Sequence, residues 1–176
     1  MKIFIQLMFF PLLLVSAQAA ERTREVVRDS SGKITQIVEH QALPGGGVRS
    51  TTRDASGRLT GSSVSSPSGG AGSRTVHRDA SGRLTGNTQT TASGKAERVV
   101  HRDASGRLVA TGETRPSGGG GSKTDCRDAS GRLTGTQVTR PSAGGSFSGV
   151  RRDASGRIIG TSSATGNVKP PVDCKK

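Results

Sequence analysis

The sequence predicts an all-β repeat protein. The expected form is an antiparallel β-meander of about twelve short strands, built from six hairpin repeats of 24–25 residues. Three observations carry this. The heptad "RDASGRL", or a close variant, begins at Arg28, Arg53, Arg78, Arg102, Arg127 and Arg152, a nearly constant period. The residues between copies are rich in Thr and Val, with no apolar spacing of helical period. Three of the four Phe (Phe4, Phe9, Phe10) lie in the first ten residues, and Trp and Tyr are absent, so an ordinary aromatic-rich core is out of reach.

The chain divides into three parts. Residues 1–19 read as a secretory signal peptide: basic Lys2, the apolar run "IFIQLMFFPLLLV", then small residues at Ala17 and Ala19 before the expected cut. The run is short for a membrane span. No Cys follows the cut to take a lipid, and no second apolar stretch could cross a membrane. Residues 20–163 form the six-repeat array, and 164–176 a tail containing Cys174. An exported chain is expected, placed in the periplasm, at the cell surface or outside the cell.

Within each repeat the first turn is "DASG". Asp suits the first position of a type I turn, where its carboxylate accepts backbone N–H bonds. Gly suits the fourth, where φ is positive. The turn-forming pairs are Asp54 and Gly57, Asp79 and Gly82, Asp103 and Gly106, Asp128 and Gly131, and Asp153 and Gly156. A type I turn closed by a left-handed Gly is a three-residue hairpin connection with a bulge. The heptad therefore reads as a hairpin tip. The second turn varies ("PGGG", "SPSGGAGS", "ASGK", "PSGGGGS", "PSAGGS") and is expected at the opposite edge.

Period-two alternation sets the faces. Four residues before each tip Arg stand Arg24, Arg49, Arg74, Arg98, Lys123 and Ser148; two before it stand Val26, Thr51, Val76, Val100, Asp125 and Val150. The turn type pairs each tip Arg with the Ile or Leu six residues on. One face then carries rows of Arg over a thin Val and Leu stripe, and the other carries Thr, Ser, Asn and His. Such a stripe alone does not offset the entropy of ordering the backbone. The sheet needs help by curling on itself, pairing with another copy or binding a surface. Without help the chain is expected to be partly disordered. A flat sheet would run about 55 Å.

At "DASGRLTG" the chain resembles the YD repeats of RHS-type bacterial surface and secreted proteins, whose pattern is Tyr-Asp-x-x-Gly-Arg-Leu in β-hairpins. The matching residues in one copy are Asp54, Gly57, Arg58 and Leu59, and the resemblance spans about Arg24 to Ser163. It implies hairpin repeats at or beyond the cell surface. The family's Tyr is Arg in every copy here, so the large aromatic-filled shell of that family is not implied. MORN-type hairpin repeats share the Gly-centred turn but also rely on aromatics.

Function classes follow from charge and chemistry. The net charge is +13, or +12 without Lys2, spread along the whole chain. That points to an anionic polymer as partner: lipopolysaccharide, acidic polysaccharide or nucleic acid. The residues expected to bind it are Arg49, Arg53, Arg74, Arg78, Arg98 and Arg102. The alternatives are a self-associating adhesive protein, pairing through open sheet edges, and a disordered exported chain. No enzyme is expected. "HRD" at His77–Asp79 and His101–Asp103 ends a strand instead of opening a catalytic loop. The Gly-rich loops lack a strand–loop–helix context for phosphate. His77 and His101 are expected about 10 Å apart on the polar face, too far to share a metal, so no metal or cofactor is expected. Cys126 and Cys174 are candidates for an internal disulfide, an intermolecular one, or free thiols. In a flat meander they lie about 19 Å apart, so an internal bridge needs the tail to fold back.

Overall fold

The computed structural model describes residues 22–166 and Cys174. The expected signal peptide lies outside the described residues, as does most of the tail. Twelve antiparallel strands follow one another: β1 (Arg22–Asp29), β2 (Ile34–Ala42), β3 (Val48–Asp54), β4 (Leu59–Ser68), β5 (Gly72–Asp79), β6 (Leu84–Ser93), β7 (Ala96–Asp103), β8 (Leu108–Ser117), β9 (Gly121–Asp128), β10 (Leu133–Ser142), β11 (Ser146–Asp153) and β12 (Ile158–Thr165). Each pairs with its neighbours in sequence, and β1 also pairs with β12, so the meander closes into a barrel. The expected twelve-strand meander is present; its closure is a feature beyond that expectation.

The tip motif explains the hairpins atom by atom. At Asp79 the Gly82 N–H donates to the Asp79 carbonyl at 3.1 Å, and the Asp79 N–H donates to the Arg83 carbonyl at 3.0 Å. Asp79 Oδ1 accepts the Ser81 N–H at 2.9 Å, the Ser81 hydroxyl at 2.7 Å and the Arg83 N–H at 2.9 Å. The Arg78 guanidinium donates to the Gly82 carbonyl at 2.9 Å. Gly82 sits at φ +84°, the left-handed region that glycine enters without strain. The other five tips repeat these bonds, so Arg, Asp, Ser and Gly each have a task within seven residues.

A second bulge follows each tip. Arg78 pairs with Leu84, but His77 pairs with Gly86, so Thr85 is extra. The same shift recurs in all six hairpins. It leaves Leu84 and Thr85 both exposed and turns Gly86 inward. A Cβ on Gly86 would lie 2.3 Å from the Arg102 carbonyl oxygen, and one on Gly135 equally close to that of Arg152. Only glycine lets these strands approach so closely.

Register explains closure. Arg24, four residues before its tip Arg, lies across from Glu39, which lies across from Thr51, two residues before the next tip Arg. Each repeat thus advances the register by two residues, about twelve around the barrel. Stagger equal to strand number gives a tilt of roughly 36°. The span expected of a flat sheet becomes a circumference, with a diameter of about 22 Å between backbones.

Closure also decides which face is inside, and here the expectation is corrected. The two faces are partitioned as the alternation predicts, but the Val and Leu stripe is not the core. Leu59, Leu84, Leu108 and Ile158 lie outside and are 37–40% exposed. The interior holds Thr88, Val99, His101, Ala110, Thr114, Thr124, Cys126, Gln137 and Thr139, all buried. Small side chains fit a concave face that the bulge glycines bring close to neighbouring backbone. Their hydroxyls pair with one another, as in the 2.8 Å Thr114–Thr124 hydrogen bond. Burial is deepest along β1, β2 and β6–β10 and shallower along β3–β5.

Cys126 and Cys174 form an internal disulfide with Cα atoms 5.3 Å apart. The 19 Å expected of a flat meander does not apply, because Cys174 reaches the barrel interior. It is buried with Ala110 and Cys126, beside Gly112.

Candidate anion-binding crown

A sequential meander places all six tip hairpins, five "DASG" and one "DSSG", at one end of the barrel. The tips form a ring, spaced about 12 Å apart on a circumference of twelve tilted strands. Each tip presents two basic side chains. One is the tip Arg; the other is Lys33, Arg58, Arg83, Arg107, Arg132 or Arg157, and all six of these are exposed. Twelve bases face six Asp, so the ring carries a net charge of +6.

The tip Arg is held in place. One guanidinium N–H of each binds the carbonyl of its own turn Gly at 2.9–3.0 Å. Such anchoring leaves further donors of a five-donor fork directed away from the turn. The Asp carboxylates are less available to neutralise the bases, being occupied by the turn. The Ser hydroxyl bond, then the backbone N–H groups and the adjacent base, hold the pKa of Asp54 and its five equivalents below the ordinary carboxylate value.

The six Arg expected to bind anions fall into two sets. Arg53, Arg78 and Arg102 belong to the crown. Arg49, Arg74 and Arg98 stand on the outer wall four residues lower, about 13 Å along the strands. All six face outward, but no two lie directly opposite across a strand pair: Arg49 faces Gln41 and Val64, and Arg74 faces Ser66 and Gln89. The wall is also uneven. Arg98 faces Glu113, Arg115 pairs with Glu113 at 2.7 Å, and Lys123 pairs with Asp125 at 3.4 Å. The crown has no such acidic sector. Sequence reasoning missed its outer bases, although the invariant basic residue after "SG" in every copy was their signal.

The interior holds a second polar group. His77 and His101 flank the Thr88 hydroxyl, at 2.7 Å and 2.6 Å. The two rings thus converge on one hydroxyl, although their strand positions are spaced as expected. His40 hydrogen-bonds Ser50 at 2.9 Å and lies 3.7 Å from the Glu25 carboxylate, both side chains buried. Among the described residues no three metal-ligating side chains gather into a site. Among the same residues no helix is long and apolar enough to cross a membrane. No protein-family model matches the chain, and the curated proteins searched include no match to it.

Proposed function

We propose that the chain is an exported, non-enzymatic β-barrel that binds polyanions through its crown of repeated hairpin tips. The observation that carries this is the net +6 ring, with guanidinium groups anchored by their own turns. Anchoring lowers the entropy lost when an Arg engages a phosphate or carboxylate. Six equivalent tips then act as one multivalent surface. Arg49, Arg74 and Arg98 extend the positive field down the wall. The partner class is lipopolysaccharide, acidic glycan or nucleic acid, whose repeating charge matches repeating tips.

Kinship with YD-type repeats belongs to the same proposal. It is supported by the shared order Asp–x–x–Gly–Arg–Leu, and the Arg in the Tyr position is an outward crown residue. The adhesive alternative is weakened in its original form. Strand-to-strand assembly needs open edges, and β1 pairs with β12.

Salt-dependent binding to heparin and to short duplex DNA tests the reading. If about six phosphates are neutralised, the log–log slope on DNA is about −5. Replacing Arg58, Arg83 and Arg107 by Gln weakens binding and flattens the slope. Absence of binding at low salt, or binding indifferent to salt, defeats the proposal.

A further inference from the structure

The crown is not only basic. At four of the six tips the bulge leaves exposed apolar residues just below the ring: Leu59, Leu84, Leu108, Val109, Ile158 and Ile159 are 37–46% exposed. Leu59, Leu84, Leu108 and Ile158 of this collar are each the cross-strand partner of a tip Arg, so guanidinium and apolar side chain stand side by side at the rim. Isolated exposed apolar residues are ordinary, but a ring of them at one end of a molecule marks an interaction surface. A soluble polyanion engages the bases and leaves the collar in water. A surface with phosphates outside and acyl chains beneath engages both.

The geometry points to end-on docking of the crown on an anionic lipid surface, with tip bases on the phosphates and the Leu/Ile collar in the headgroup–acyl boundary. This rests on the polyanion reading and names its partner. The depth agrees. The collar begins two residues from the turn Gly, about 5–6 Å below the tips at the strand tilt, within the 5–10 Å reach of interfacial elements. The charge agrees, because a +6 ring favours anionic headgroups. The wall argues against deeper insertion. Arg24, Arg49, Arg74, Arg98 and Lys123 face outward about 13 Å along the strands from the tip Arg, whereas a spanning barrel needs an apolar band about 25 Å tall.

The test uses the full exported chain with two vesicle types, phosphatidylcholine alone and phosphatidylcholine with phosphatidylglycerol, beside a heparin column. The wild type should sediment with the anionic vesicles only. Combining Leu59→Ser, Leu84→Ser and Leu108→Ser should weaken vesicle binding by roughly tenfold to a hundredfold and leave heparin retention unchanged. The chain has no Trp, so Leu84→Trp gives an independent reporter whose emission should shift to the blue on anionic vesicles. Heparin binding without vesicle binding, an unweakened triple variant, or an unshifted Trp overturns the docking inference and leaves the polyanion reading standing. Loss of both heparin and vesicle binding in the wild type overturns both.

Discussion

Removing the disulfide should cost the barrel a large share of its stability. Cys126 and Cys174 are 48 residues apart in sequence. A cross-link closing a loop of that length removes about 14 cal/mol/K of entropy from the unfolded chain, or about 4 kcal/mol at room temperature. The bridge is buried beside Ala110, and a Cβ on Gly112 would lie 3.0 Å from Cys174 Sγ, so small neighbours make its space inside the barrel. The double variant Cys126→Ala/Cys174→Ala keeps both sites small and apolar. Urea unfolding of oxidised wild type and variant, followed by circular dichroism, should differ by about 4 kcal/mol, and thermal midpoints by roughly 10–15 °C. A difference below about 1 kcal/mol would refute the reasoning. It would mean that the unfolded chain is not freed by the loss, or that the bridge does not close in the protein.

Other expectations follow from the tips and the interior. Gly57→Ala meets nothing within 4 Å but keeps φ at +86°, so it should cost about 1–2 kcal/mol in urea unfolding. Gly86→Ala drives a Cβ against the Arg102 carbonyl and should cost more than Gly57→Ala by the same measurement. Thr88→Val removes the hydroxyl shared by His77 and His101, and should destabilise the barrel by about 1–3 kcal/mol. The six tip Asp have depressed folded-state pKa values, so their contribution is fully present above the unfolded value and is lost as pH falls through the folded ones. Acid titration by circular dichroism should therefore show weakening only below about pH 4, and Asp79→Asn should blunt it.

Much of this architecture was legible because it is local. Asp, Ser and Gly of the tip act within five residues of one another, so the turn, the strand count and the pairing of Arg53 with Leu59 follow from the heptad. Closure was not legible, because it is a sum. A two-residue advance per repeat means nothing at Thr51 and becomes a barrel only when Thr165 meets Arg24. The inner face was not legible for a related reason. Leu and Val are ordinarily core residues, and only the second bulge, with Thr85 as the extra residue, reveals that Gly86 and the Thr/His face turn inward. The anion site was half visible: Arg53, Arg78 and Arg102 lie in the crown, while Arg49, Arg74 and Arg98 lie on a wall that Glu113 and Asp125 partly neutralise.

The most direct test of the central claim, that six hairpins close into one ring, is a cross-link between β1 and β12. Val26 and Ser163 are Cα partners across that junction. With Cys126 and Cys174 replaced by Ala, Val26→Cys and Ser163→Cys should oxidise to a disulfide within the monomer, seen as a reducible mobility shift without dimer. In an open sheet those positions lie about 53 Å apart, far beyond the roughly 7 Å limit for a disulfide. Free thiols in the oxidised monomer, or cross-links only between chains, would contradict the closed barrel and the crown that depends on it.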